Sequence, residues 1–307
     1  MSNLSDAIAD GRFAITAEIT PPLSADPDDL LSKASVLKGH VDAANVTDGA
    51  SARAHMSSVV AASLLLQAGI EPVLQFTCRD RNRIALQSDL LGGAAMGIQN
   101  LLILRGDDPS AGDQPDAKPV FDYESRDLML CAQQMRDDGV LPSGREIKHP
   151  PAKLFIGGAD TPMDPADEKW KPDGLLGKLD AGAGFFQTQF CFDADMVRKY
   201  AAGLVEHGIS ARAGVLSDRA GVLIGIGPLA SARSARWMRE NLWGTTIPDA
   251  LIDRLDAAED PKAEGTAICA ELIAAYAEID GIAGVHLMAP LGVDEVPKAI
   301  EKSGVRA

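Results

Sequence analysis

Leu101-Leu102-Ile103-Leu104-Arg105-Gly106-Asp107-Asp108-Pro109 is the stretch whose reading decides the fold. Four consecutive aliphatic residues suit a strand buried on both faces, as in a parallel sheet. The run breaks directly into Arg-Gly-Asp-Asp-Pro, so the strand presents polar groups at its C-terminal end, where parallel α/β proteins build their sites. Upstream, residues 13–20 repeat the pattern and stop at Pro21-Pro22, which cannot continue a ladder. Further strands fall at 41–47, broken by Asp48-Gly49, and at 70–76. Downstream they fall at 153–156, 184–190, 221–226 and 284–288, with a long loop at 157–169. Helical patterns fill the gaps. The one at 26–37 opens on Asp26-Pro27, a cap followed by proline in the first turn. Those at 54–68, 81–96 and 194–206 close on Gly69, Gly97 and Gly208. Others lie at 125–137, 175–181, 231–241 and 293–301, and two more, at about 249–258 and 263–279, form an insertion before the last strand. Eight alternations without a composition break predict an α/β fold, a single (β/α)8 TIM barrel over residues 1–307 with a helical insertion at about 245–281. A doubly wound open sheet shares the alternation and stays as the alternative.

The 307 residues suffice for such a barrel, and 46% hydrophobic with 24% charged residues suits a soluble enzyme. A net charge of −15 argues against nucleic acid and against an anionic membrane surface. No apolar run reaches the roughly 20 residues of a membrane span. The start, Met1-Ser2-Asn3-Leu4-Ser5-Asp6, lacks the features of a signal peptide, so a cytoplasmic location is expected. Cys78, Cys131, Cys191 and Cys269 form no Cys-x-x-Cys pair, and the five histidines show no His-x-x-x-His spacing. Reduced thiols and no metal site are expected.

In a barrel, the strand ends contribute Glu18, Thr47-Asp48, Gln75 with Thr77, Arg105-Gly106-Asp107 and Gln189, while Gly158, Gly227 and Met288 carry little chemistry. Glu18 lies in an apolar strand, where desolvation favours a protonated carboxyl suited to general acid work; a solvated strand-end glutamate is equally compatible with the spacing. Asp107 taken alone reads as a loop cap. Gln189, ahead of Phe190-Cys191-Phe192, needs a buried partner or a ligand. Cys78 and His286 read as structural. Arg79, Arg81 and Arg83 crowd a helix start and read as an anion site for a pyrophosphate or a substrate carboxylate, with a solvated turn as the alternative. The polar loop at 107–122 is long enough to suggest function. Gly225-x-Gly227 lacks the third glycine of a dinucleotide fingerprint and Ile156-Gly157-Gly158 is no P-loop, so no Rossmann site can be argued.

Taken together, these pieces resemble the methylenetetrahydrofolate reductase family. The matching segments are Glu18 before Pro21-Pro22, Val46-Thr47-Asp48-Gly49-Ala50, Thr77-Cys78 and Leu104-Arg105-Gly106-Asp107, then Lys178-Leu179-Asp180-Ala181-Gly182-Ala183 and Thr188-Gln189-Phe190-Cys191-Phe192-Asp193. They follow the family's order and spacing from about residue 13 to 290. The resemblance implies a barrel that holds FAD non-covalently and reduces 5,10-methylenetetrahydrofolate to 5-methyltetrahydrofolate in one-carbon metabolism. It implies Glu18 as the acid that protonates N10, Asp107 as the carboxylate beside flavin and folate, and Gln189 as a folate ligand. Thr47, Arg105, Gly106, Asp107, Tyr123 and Lys178 correspond to FAD-contacting positions. Gln75 stands where better-known members have a flavin-contacting histidine, and Asp48 replaces an aromatic residue. After the seventh strand, Gly227-Pro228-Leu229-Ala230-Ser231-Ala232-Arg233 lacks the ring that stacks on nicotinamide or pterin in those relatives. A homo-oligomer is expected, with NADH, NADPH or an electron-donor protein as reductant. A pterin-binding methyltransferase barrel and a non-catalytic subunit of a larger reductase are the alternatives.

Overall fold

The computed structural model describes residues 2–210, 219–290 and 292–306. Eight strands form a closed parallel barrel: β1 (Ala14–Ile19), β2 (Ala43–Val46), β3 (Pro72–Thr77), β4 (Asn100–Leu104), β5 (Phe155–Asp160), β6 (Ala183–Phe190), β7 (Gly221–Ile226) and β8 (Gly284–Leu287). β8 closes the ring on β1, with Thr16 beside His286 and Ala17 beside Leu287. The helices outside are α1 (Asn3–Ala9), α2 (Pro27–Ser35), α3 (Ser58–Gln67), α4 (Arg83–Ala95), α5 (Ser125–Asp137), α6 (Asp173–Asp180), α7 (Ala194–Glu206) and α8 (Ala232–Asn241). The expected insertion is α9 (Asp249–Ala257) with α10 (Pro261–Ala277), ahead of β8, and α11 (Glu295–Ser303) follows it.

A strand turns alternate side chains to opposite faces, so each strand divides between the helix layer and the barrel interior. Ile15 and Ala17, Leu74 and Phe76, Leu101 and Ile103, and Ile224 and Ile226 pack outward in the large core under the helices. Ala14, Ala43, Val73, Leu102, Phe185 and Leu223 form a separate apolar layer in the barrel, joined by Leu4 and Ala7 of α1. That short helix closes the N-terminal end. It carries no apolar stripe long enough to be predicted, and a capping box between Ser2 and Ser5 begins it.

Two residues further along the same faces the interior becomes polar. Asn45 Nδ2 donates to Gln187 Oε1 at 2.6 Å, and Gln187 Nε2 donates to Asn45 Oδ1 at 3.0 Å and to Thr16 Oγ1 at 2.9 Å. Thr16 Oγ1 lies 3.0 Å from His286 Nδ1. Asn45, Thr16, Gln187 and His286 are all buried, so these bonds replace water that cannot reach them.

β5 departs from expectation. The strand runs to Asp160, through a Gly157-Gly158 pair that reads as a breaker in the sequence. The glycine is there for close approach: a Cβ on Gly157 would lie 2.2 Å from the Phe185 ring. The strand end therefore presents Asp160, not Gly158. Replacing Gln187 by leucine keeps its bulk, strands the Asn45 amide in a dry interior and takes one partner from the Thr16 hydroxyl. The expected loss is about 2–4 kcal/mol, read from urea unfolding with an unchanged m-value.

Candidate active site

The C-terminal ends of β1, β4 and β6 carry Glu18, Asp107 and Gln189 to one mouth of the closed barrel. Glu18 shares the interior face of β1 with Thr16, and its side chain is 24% exposed. Gln75 Nε2 donates to Glu18 Oε2 at 3.0 Å, and His286 Nε2 stands 3.7 Å from the same oxygen. Thr16 Oγ1, which accepts from Gln187 Nε2, also faces the Val285 carbonyl at 3.5 Å, so its hydrogen has two acceptors and either imidazole nitrogen of His286 can carry the ring's hydrogen. Oε2 of Glu18 is held by the barrel, while Oε1 has no hydrogen-bond partner among the described residues. His286, read from sequence as structural, is one of the two groups that position Glu18. The alternation Thr16-x-Glu18 marks one face of β1 and the predicted barrel sets β8 beside it, but nothing in the sequence gives the register that brings His286 to Glu18.

On the side of β2 to β4, Asp48 is a hub. Its carboxylate accepts from Thr77 N and Thr77 Oγ1, both at 2.9 Å, from Ser58 Oγ at 2.9 Å, and from Arg81. Arg81 also reaches Asp89 at 3.2 Å and lies 4.3 Å over the Phe76 ring. Arg79 is buried, paired with Asp80, and donates to the Gly49 carbonyl at 3.2 Å and the Asp107 carbonyl at 3.5 Å. Arg83 forms a salt bridge to Asp122 at 2.6 Å and holds that carboxyl down at about 2. The expected anion site is therefore not formed by these arginines: each is spent on an aspartate of the chain, and together they tie the loops after β2, β3 and β4. The loop at 107–122 is stitched into the same knot by a 2.7 Å bond from Val120 N to the Arg79 carbonyl. Backbone strain collects here, with Ser51, Ala52 and Phe121 at φ 55°, 53° and 41°.

The remaining expected residues fall as follows. Asp107 and Arg105 are exposed at the rim on either side of Gly106, and Arg105 stacks 4.1 Å over the Phe121 ring and bonds Glu124 at 3.1 Å. Tyr123 accepts from Gln87 Nε2 at 3.3 Å. Gln75, expected at the cofactor, has its amide engaged with Glu18. Thr47 is buried with its Oγ1 unpartnered. Gln189 Oε1 accepts the Phe190 N–H at 2.9 Å, and its Nε2 has no hydrogen-bond partner among the described residues. Cys78 is buried and its thiol is pushed up to about 12 by desolvation, consistent with a structural role.

Beneath the end of β5, Lys178, expected at the cofactor, meets Asp160 and Tyr200, which carried no expectation. Lys178 Nζ donates to the Ala159 carbonyl at 2.5 Å, and desolvation lowers its pKa against the pull of nearby Asp160. Asp160 is raised by desolvation, opposed by the hydrogen bond from the fully buried Tyr200 hydroxyl and by Lys178. The glycine pair of β5 hid Asp160 by suggesting a loop.

A parallel barrel with a positioned carboxylic acid at its mouth has the organisation of a TIM-barrel enzyme. The methylenetetrahydrofolate reductase family model matches residues 3–303. Among curated proteins, the chain is 26% identical over 237 residues to a probable methylenetetrahydrofolate reductase (NADPH) of Caenorhabditis elegans, covering 75% of this chain and 32% of that protein. It is 27% identical over 213 residues to 5,10-methylenetetrahydrofolate reductase of Pectobacterium carotovorum subsp. carotovorum, covering 67% and 64%. With methylenetetrahydrofolate reductase (NADH) 1 of Zea mays it shares 24% identity over 300 residues, covering 94% and 47%. The chain thus spans less than two thirds of these relatives' own lengths. Among solved structures, an uncharacterized protein from Clostridium thermocellum that binds two copies of 5-methyl-5,6,7,8-tetrahydrofolic acid superposes with TM-score 0.63 at 14% identity over 99% of each chain. Tryptophan synthase from Mycobacterium tuberculosis reaches 0.52 at 13% identity, covering 100% of this chain and 99% of that one, so the barrel alone does not define the chemistry. With the family model covering nearly all of it, the chain belongs to the methylenetetrahydrofolate reductase family.

The Asp160 shift has a consequence for stability. A carboxyl raised in the folded state binds its proton more tightly there, so its contribution is full below the unfolded value and falls as pH rises through the folded one. Asp160→Asn removes that fall. Its stability relative to the parent should therefore increase from pH 4 to pH 7 in paired denaturant titrations.

Proposed function

We propose that the protein is an FAD-dependent reductase that converts 5,10-methylenetetrahydrofolate to 5-methyltetrahydrofolate. The observation that carries this reading is Glu18, held at the mouth through one oxygen by Gln75 and His286 in a chain of the reductase family. The mouth has features suited to FAD. The Thr47 hydroxyl is buried and unpartnered, which fits a polar edge of a bound group. The Lys178 ammonium is desolvated and bonded to a neutral carbonyl, which fits a phosphate or another anionic group. Arg105, Gly106, Asp107 and Tyr123 would line the same side.

FAD, when bound, supplies the hydride. The chain's own residues do the rest. Glu18 passes its proton to N10 of the folate, the bond from N10 to the methylene carbon breaks, and the carbon remains on N5 as an iminium ion ready to accept the hydride. Asp107 stabilises that positive charge from the rim, and Gln189 orients the folate through its unpartnered amide nitrogen. NADH or NADPH, named in relatives of this chain, is the proposed reductant. Among the described residues no helix is long and apolar enough to cross a membrane.

The purified protein should be yellow, and its flavin absorbance should bleach on anaerobic addition of NADH or NADPH and return on addition of methylenetetrahydrofolate. Protein that neither retains nor binds FAD would overturn the reading and favour a flavin-free, methyl-transferring barrel. Bleaching only by a reduced partner protein would move the donor, not the folate chemistry. Glu18→Gln should leave flavin reduction within about twofold of the parent and slow folate reduction by roughly 10²–10⁴-fold, measured by stopped-flow in the two half-reactions.

A further inference from the structure

The last turn of β6 leaves the regular ladder. Gln187 pairs with Leu223 and the next pair is Phe190 with Gly225, so three steps along β6 answer two along β7. The extra residue makes a β-bulge, a feature that re-aims side chains beside a site. It falls on Thr188 and Gln189, directly at the amide that β6 carries to the mouth.

A bulge takes backbone groups out of register with their ladder partners, and here a side chain replaces one of them. Gly225 N–H donates to Thr188 Oγ1 at 2.9 Å, where a regular parallel ladder would offer a backbone carbonyl. Thr188 Oγ1 in turn donates to the Gln189 carbonyl at 2.9 Å. One buried hydroxyl thus accepts from β7 and donates within β6. Gly225 supplies the room, since a Cβ there would lie 2.2 Å from the Thr188 carbonyl oxygen and 2.8 Å from that of Gln189. Beyond the bulge, the Phe190 carbonyl accepts from Thr246 N–H at 3.0 Å, in the turn after α8. That turn sets Gly244 against the stem of Gln189, where a Cβ would lie 3.6 Å from Gln189 Cγ. An unbroken ladder would need neither the hydroxyl at 188 nor a glycine at 225. Both serve the course of the chain at Gln189.

We propose that Thr188 is a positioning residue for Gln189: its hydroxyl, held between the Gly225 N–H and the Gln189 carbonyl, fixes the backbone from which the Gln189 amide meets the folate. This rests on the folate reading of the mouth. Thr188 itself touches no substrate. Without its hydroxyl the Gln189 amide is still present, but the backbone that carries it is released, and the loss falls on folate binding.

Calorimetric titration with tetrahydrofolate tests this in a double-mutant cycle. Thr188→Val, which keeps the side-chain shape and removes both bonds, should weaken binding about tenfold and leave FAD binding within about twofold. Thr188→Ser keeps the hydroxyl and should retain most of the affinity. In a Gln189→Ala background, Thr188→Val should weaken binding by less than about twofold, because the group it positions is already gone. Unchanged tetrahydrofolate binding in Thr188→Val overturns the proposal, as does a loss in Thr188→Ser equal to that in Thr188→Val. So does a tenfold loss that persists in the Gln189→Ala background, or an equal loss of FAD and tetrahydrofolate. Thr188→Ala, which adds no methyl group to the bulge, is read in the same way if the valine variant does not fold. If neither variant folds, the hydroxyl is structural and the proposal fails. Parent protein that does not bind tetrahydrofolate removes the folate reading itself, whereas parent binding with an unaffected Thr188→Val removes the role of Thr188 alone.

Discussion

The side chain of Gln187 spans the inside of the barrel, and the geometry of the mouth depends on it. Its amide bonds Asn45 on β2 twice and Thr16 on β1 once, joining β6 to strands on the far side of the ring. An apolar residue could fill the same volume but could not bond Asn45 and Thr16. Thr16 Oγ1 lies in turn 3.0 Å from His286 Nδ1, and His286 Nε2 stands 3.7 Å from Glu18 Oε2, so the amide is linked through two side chains to the carboxylate nearer the mouth. Buried polar networks are stabilising only when every member is satisfied.

Outside that interior, the mouth is shaped by charge neutralisation. A chain of net charge −15 places three arginines within five positions, and each is matched to an aspartate. The buried Arg79 draws in the carbonyls of Gly49 and Asp107 as well, so the loops after β2 and β4 close on a single guanidinium. The planar fork of arginine suits that task, because it offers several donors in fixed directions. The cost is backbone strain at Ser51, Ala52 and Phe121, tolerated where surrounding bonds over-determine the loop.

The barrel was legible in the sequence because buried parallel strands are nearly continuous apolar runs, and Leu101 to Leu104 could be little else. Glu18, Asp107 and Gln189 were legible as strand ends for the same reason. Their partners were not. His286 meets Glu18 because the register at the β1–β8 seam sets Thr16 beside His286, a relation across 268 positions in Glu18–His286 that strand alternation does not encode. Asp160 was hidden by glycines that look like a loop and in fact admit the Phe185 ring. The arginine cluster misled in the opposite sense, since its spacing records three positive charges but not the aspartates brought to them from Asp48 and Asp122.

The strands differ in what they can vary. β1, β2, β3, β6 and β8 are bound to one another through interior side chains, so a change in any of Thr16, Asn45, Gln75, Gln187 or His286 reaches Glu18. β7 is bound through its backbone, since Gly225 and Gly227 leave no room for side chains beside Thr188 and Met288. A wall made of backbone is rigid, and variation on that side is left to segments beyond the strand ends. The turn after α8 is such a segment, fastened to β6 by backbone bonds that place no demand on the identity of residue 243, so its side chain can change without disturbing Glu18.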